Sequence, residues 1–266
     1  MGALEEVAGW PAEHVSAAVV SPDGVVEAHG ERDRPFGWAS VTKLLTTEAL
    51  LVALEEGILD LDQAAGPAGS TLRHLAAHAS GLPPDGDVPV ARPGTRRIYS
   101  NRGIERLAEE IEAAAEMPFA EYLRAAVTGP LGLRPLSGSA ASGYRGTIDE
   151  LAALALELLA PRLVAPETLA EAVAVQFPGL NGVVPGFGRQ EPNDWGLGFE
   201  LRDHKEPHWT GADNSPRTFG HFGATGTFLW VDPERRLALA CLTDLDFGAW
   251  AREAWPRLSD AVLGET

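Results

Sequence analysis

The sequence predicts an α+β fold: an antiparallel sheet whose strands come from both ends of the chain, a long helical insert between them, and a helix at the C-terminus. Three observations lead there. Strand-length apolar runs flank a turn near the N-terminus, helical periodicity fills the middle of the chain, and strand-like runs return after residue 190. With 266 residues, 45% of them apolar and 22% charged, the chain has ordinary globular composition and enough length for a sizeable core.

The elements follow in order. Residues 15–20 and 25–30 flank Ser21-Pro22-Asp23-Gly24, a turn signal, and read as a β-hairpin. A largely apolar helix is expected from Ser40 to about Glu56, stopped by Gly57. From residue 58 to 176 the chain reads as helical. One helix falls at 71–78, and a second at 101–115 carries Ile104, Leu107 and Ile111 on one face. Thr147 and Glu150 form a capping box that starts a third, and Pro166 opens a short fourth. Trp195, Leu197, Phe199 and Leu201 alternate with Gly196, Gly198 and Glu200, the period of a strand. Residues 219–231 and 237–242 read as two strands joined by the turn Asp232-Pro233-Glu234, before a final helix at 248–263 bent at Pro256. This order divides the chain into a sheet subdomain, 1–57 with 190–266, and a helical subdomain, 58–189. A cleft between them is the natural place for a site.

Charge and processing signals narrow the partners. The net charge of −17 argues against nucleic acid and anionic membrane, both of which need a basic patch. No apolar run is long enough to span a bilayer. The N-terminus shows no basic region followed by a long apolar stretch, and the single cysteine, Cys241, lies in an apolar strand-like run. These features lead us to expect a protein of the reducing cytoplasm.

Three short motifs carry chemistry. In Ser40-Val41-Thr42-Lys43, helical spacing of three places both side chains on one face. A serine hydroxyl needs a base, and a buried lysine with a lowered pKa can serve as one. Only two of the 21 basic residues are lysines, Lys43 and Lys205. Arginine, which does not give up its proton, is this chain's general cation, so a lysine in an apolar helix suggests that deprotonation matters. The second motif is Tyr99-Ser100-Asn101: Tyr99 relays a proton if a cation lowers its pKa, and Asn101 both donates to and accepts from an amide. The third is His221-Phe222-Gly223-Ala224 on a strand, where Gly223 lets substrate lie against the backbone and the Ala224 amide completes an oxyanion hole with that of Ser40.

Taken in order, S-x-x-K, Y-x-N and H-x-G resemble the penicillin-recognising serine hydrolases, which include class C β-lactamases, D-alanyl-D-alanine carboxypeptidases and family VIII esterases. The surrounding text is similar too: Ala39-Ser40-Val41-Thr42-Lys43-Leu44, Leu72-Arg73-His74-Leu75, His78-Ala79-Ser80-Gly81-Leu82-Pro83, Pro93-Gly94 and Trp195-Gly196-Leu197-Gly198. The resemblance covers nearly the whole chain. It implies a β-lactamase/transpeptidase-like fold with a sheet of about five strands, and an acyl-enzyme on Ser40 with Lys43 and Tyr99 moving protons. Asn101, His221, Gly223, Ala224 and Arg217 are then substrate-binding candidates, Arg217 by holding a carboxylate. The substrate is a small-molecule ester, amide or lactam, and no cofactor or metal is called for. His221 stands where class C β-lactamases carry lysine, and the stretches 62–70 and 82–92 are short for the family. An alternative is a binding module of the same fold, one that acylates without turnover or senses a ligand.

Other residues are set aside. His74 and His78 have the i, i+4 spacing of zinc ligands, but no glutamate follows His74. His204, His208 and Trp209 read as loop anchors or pocket wall.

Overall fold

The computed structural model describes residues 2–265. Its centre is a six-stranded antiparallel sheet built from both ends of the chain. β1 (Val15–Ser21) and β2 (Gly24–His29) form the expected N-terminal hairpin. Two short pairs follow: β3 (Phe36–Gly37) with β4 (Arg145–Gly146), and β5 (Gly182–Val184) with β6 (Gly188–Gln190). The remaining sheet strands are β7 (Glu200–Leu201), β8 (Phe219–Gly223), β9 (Thr227–Asp232) and β10 (Leu237–Thr243). The order across the sheet is β2-β1-β10-β9-β8-β7.

Two expectations change here. The run 219–231 is two strands, because Ala224-Thr225-Gly226 turns the chain back on itself, with Gly226 in the left-handed region at φ 73°. The alternating run 195–201 gives only a two-residue strand, β7; Trp195 makes isolated bridges to Gln176 and Glu200 instead. The split of 219–231 brings the sheet to six strands rather than about five.

Strand alternation sorts the core into two layers. Ala17, Val19, Phe228, Trp230, Leu239 and Cys241 face one way. They pack on α7 (Ala249–Gly264), which contains Pro256, and on the N-terminal 3₁₀ turn Ala3–Gly9 through Leu4 and Val7. Ala18, Val20, Leu229, Val231, Ala240 and Leu242 face the other way, into the larger cluster shared with the helices.

On that second side lie α1 (Thr42–Glu55), α2 (Leu72–Ala76), α3 (Asn101–Ala115), α4 (Phe119–Leu123), α5 (Ile148–Leu159) and α6 (Pro166–Ala172). α1 has buried residues on every face, because its apolar residues are not confined to one stripe. α5 begins at the capping box read from the sequence, with Thr147 accepting from Glu150 N–H and Glu150 accepting from Thr147 N–H. Although α5 comes from the middle of the chain, it packs directly on β1, β9 and β10. No helix among the described residues is long and apolar enough to cross a membrane.

Among the described residues, one buried carboxyl has no hydrogen-bond partner on either oxygen. Glu48 lies on α1, and neither of its carboxyl oxygens is hydrogen-bonded. Burial, with Glu157 adding like charge, pushes its pKa from 4.5 up to about 8. The folded state therefore keeps this proton between about pH 4.5 and 8, where the unfolded chain releases it. Stability falls as pH rises through that window, by about 1.4 kcal/mol per pH unit, and the penalty is absent below it. Glu48→Gln removes the titration. Urea unfolding should show the variant near wild type at pH 5 and gaining relative stability by pH 8; a constant difference between the two pH values would show that Glu48 does not titrate there.

Candidate active site

Ser40 sits in a 3₁₀ turn, Ala39–Val41, immediately before α1 and half buried. The helix proper starts at Thr42, two residues later than the sequence suggests. Ala39 holds φ 45°, a left-handed backbone that costs a non-glycine residue energy and persists only where its surroundings enforce it. The enforcement is visible. Trp38 N–H donates to Tyr144 O (2.9 Å), Thr227 Oγ1 donates to Trp38 O (3.0 Å), and Thr225 Oγ1 donates to Gly37 O (2.8 Å). Gly223 is needed because a Cβ there would lie 2.6 Å from Trp38 O and 3.0 Å from Ala39 Cβ. Its role is thus to seat the serine turn on β8, a different reason from the substrate contact the sequence suggests.

Lys43 is the second residue of α1, one turn on from Ser40, with no solvent exposure. Its Nζ is 3.1 Å from Ser40 Oγ, 2.8 Å from Asn101 Oδ1 and 2.9 Å from the carbonyl oxygen of Ala141. Asn101 reaches it because Ser100 caps α3, accepting from Gly103 N–H at 2.9 Å. Ala141 reaches it because residues 140–146 are strapped to α1 by Thr46 Oγ1, which donates to Ala140 O (2.7 Å), and by Tyr144 N–H, which donates to Thr42 Oγ1 (3.1 Å). Desolvation lowers the Lys43 pKa from 10.5 to about 7, against a smaller opposing pull from Glu105 and Asp85.

Tyr99 Oη donates to Ser40 Oγ at 2.6 Å, and the Lys43 nitrogen stands 4.8 Å from the Tyr99 ring centre. The expectation of a phenol with a lowered pKa is corrected here. Burial raises the Tyr99 pKa and the Ser40 contact offsets it only in part, so Tyr99 keeps its proton at neutral pH.

His221 ends up neutral. Its Nδ1 faces Phe222 O at 2.7 Å and must donate, since a carbonyl only accepts. Burial, with Lys43 adding to it, pushes the ring down to about 3. Ser40, Tyr99, His221 and Ala224 share one cavity of about 140 Å³, whose other walls include Trp195, Phe222 and Phe247. Arg217 is not brought there. It is exposed in the turn that precedes β8 and does not line the cavity.

Sequence reasoning missed several residues that build the site. His78 and Trp195 stack beside Tyr99, with ring centres 4.8 and 6.0 Å away. Arg97 fixes both segments by donating to Ala77 O (2.5 Å), Asn193 O (3.1 Å) and Gln176 O (2.6 Å). Glu200 lines the cavity and accepts from Lys205 Nζ, Trp209 Nε1 (2.8 Å) and His208 Nε2 (2.7 Å). His208 and Trp209 are thus anchors of a buried carboxylate, while His204 is exposed. His74 pairs with Thr71 (2.9 Å) and His78 with Ser100 N–H (3.2 Å), so the two histidines do not converge. Cys241 is buried, and burial raises its pKa, as suits a core residue.

This arrangement of sheet and helices is the β-lactamase/transpeptidase-like fold. The family model described as Beta-lactamase matches residues 12–263, and the chain belongs to that family. A beta-lactamase from Mycobacterium bovis superposes with a TM-score of 0.97 at 53% identity, covering 99% of this chain and 98% of that one. EstCE1, a hydrolase with promiscuous acyltransferase activity, gives 0.79 at 17% identity over 98% of both chains, a likeness of fold alone. The D-alanyl-D-alanine-carboxypeptidase/endopeptidase AmpH of Escherichia coli K12 is 29% identical over 36% of this chain, and the match spans only 34% of its length.

The chain's two lysines make Lys43 directly observable. In protein carrying ¹³Cε-lysine, one of two resonances should titrate with a midpoint near pH 7, and Lys43→Arg should remove it. A Lys43 resonance that moves only above pH 9 would contradict the desolvated site.

Proposed function

We propose that this chain is a serine hydrolase that forms an acyl-enzyme on Ser40 from an ester, amide or lactam carbonyl and releases it to water. The observation that supports this reading most is the partner set of the Lys43 nitrogen. A neutral amine has two N–H donors and one lone pair. Asn101 Oδ1 and Ala141 O take the donors, leaving the lone pair for the Ser40 hydroxyl. With a pKa near 7 the amine is available as general base at neutral pH.

The steps follow from that placement. Lys43 takes the Ser40 proton as Oγ attacks the carbonyl carbon, and the backbone N–H groups of Ser40 and Ala224 receive the oxyanion. Tyr99, still protonated, gives its proton to the leaving group. The Lys43 ammonium 4.8 Å from the ring stabilises the phenolate until that proton is replaced. Water then enters as the leaving group did, with the same groups acting in reverse. Asn101 and Ala141 orient the amine. His221 contributes a neutral wall rather than a cation, and neither lysine nor arginine lines the cavity. That composition favours an uncharged acyl group over a carboxylate-bearing one. The M. bovis relative is named a beta-lactamase, which favours a lactam as second reading. Comparing a chromogenic cephalosporin with a short p-nitrophenyl ester separates the two, and a single burst without turnover on either would indicate a non-catalytic binding module.

Two measurements check the mechanism. After incubation with a fluorophosphonate, peptide mass spectrometry should place the adduct on Ser40, and a stable adduct on another serine with Ser40 free would sink the proposal. Lys43→Arg keeps a cation but cannot give up its proton, so it should be nearly as inactive as Lys43→Ala while remaining folded. Retention of more than about a tenth of wild-type activity, a loss below ~1.4 kcal/mol in barrier, would take Lys43 out of the proton-transfer step.

A further inference from the structure

The β5–β6 hairpin divides two cavities. Val184 and Pro185, at the end of β5, line the Ser40 cavity of about 140 Å³. The next three residues, Gly186, Phe187 and Gly188, line a second cavity of about 640 Å³. Its far walls are α7, through Ala249 and Pro256, and the segment after β7, through Pro207 and Ala212.

Phe187 is the ring between them. It meets Phe222 edge-on at 6.0 Å and Phe247 at 5.9 Å, and both of those rings belong to the Ser40 cavity. The hairpin tip is shaped to press it there. Gly186 and Gly188 have φ of 78° and 84°, and a Cβ on Gly186 would lie 2.5 Å from the Phe247 ring. Phe187 is itself buried, at 7% exposure, although it stands beside an open groove.

We propose that Phe187 sets the acyl-length limit of this enzyme: backing Phe222 and Phe247, it closes the Ser40 cavity toward the larger groove and confines the acyl group on Ser40 to a short chain. This rests on the serine-hydrolase reading above. The cavity takes the acyl part because the leaving group must escape to solvent, whereas the group retained on Ser40 can sit against a closed wall of aromatic rings. A space near 140 Å³ matches the ~150 Å³ that holds a benzene-sized guest. A four-carbon acyl chain fits it and an eight-carbon chain does not. Interiors are close-packed, so a longer chain has to displace a ring, and the ring with free space behind it is Phe187.

The test varies acyl length at constant leaving group. kcat/KM is measured for p-nitrophenyl butyrate and p-nitrophenyl octanoate with wild type, Phe187→Ala and Phe187→Leu, each with a thermal melt. Wild type should favour butyrate by roughly tenfold or more. Phe187→Ala should raise the octanoate-to-butyrate ratio by about tenfold, and Phe187→Leu by less. If the alanine variant does not fold, the leucine variant carries the comparison. A ratio within about twofold of wild type in a folded variant, or a wild type that accepts octanoate as readily as butyrate, would overturn this inference and leave the hydrolase reading standing. No turnover of either ester by wild type would overturn this inference, and if a chromogenic cephalosporin were not turned over either, the hydrolase reading would fall with it.

Discussion

A lysine nitrogen sealed from water, with three oxygens around it, is the constraint that organises the helical side of this protein. Taking an ammonium out of water costs several kcal/mol, so the Lys43 nitrogen is tolerated only where hydrogen-bond acceptors stand ready. They come from three places far apart in the chain: Ser40 from the turn before α1, Asn101 from the start of α3, and Ala141 from the 140–146 strap. Each is held by something else. Ser100 caps α3, Thr42 and Thr46 tie down the strap, and the two-residue β3–β4 ladder joins it to the turn that carries Ser40. A shift in any one of these would leave a buried amine without an acceptor, which is why short, irregular segments here are as fixed as the strands.

Two other buried charges extend this scaffold under the cavity wall. Arg97 has no carboxylate in contact and instead spreads its N–H groups over the carbonyls of Ala77, Gln176, Phe177 and Asn193. The planar fork suits that task, joining three loops whose neighbours His78 and Trp195 pack on Tyr99. Glu200 does the opposite, drawing Lys205, His208 and Trp209 around one carboxylate. Burial alone would raise its pKa, but His208 and Lys205 outweigh that and hold it ionised. Polar networks of this kind are useful only when every member is satisfied, and then they fix a single geometry. The Phe222 and Phe247 wall stands on that geometry.

The sequence made much of this readable for a physical reason. Helical spacing ties Ser40 to Lys43, a capping box announces α5, and a Pro-Asp-Gly turn announces the first hairpin. All are local, and the structure keeps them. What stayed hidden depends on contacts between distant segments. Nothing near Ala141 in the chain signals that its carbonyl faces a lysine. The turn at 224–226 is masked because the strands on either side are buried on both faces, so neither shows an alternation whose interruption would mark the break. Arg217 lies only four residues before His221, but it falls in the exposed turn that precedes β8, outside the cavity.

The two lysines sharpen what that residue choice means. Both are buried in a chain that otherwise uses arginine, so scarcity by itself does not separate a lysine that holds a charge from one that moves a proton. Their partners differ. Lys205 touches the Glu200 carboxylate as well as the carbonyls of Asp194 and Leu201, and a contacting anion favours the ammonium form. Lys43 touches only neutral oxygens, while Glu105 and Asp85 act on it without contact, so burial wins. Burial lowers the pKa of both amines, and at Lys205 the Glu200 carboxylate opposes that drop by direct contact. The difference lies in a single carboxylate placed beside one amine and withheld from the other, next to the one serine that a neutral amine could activate.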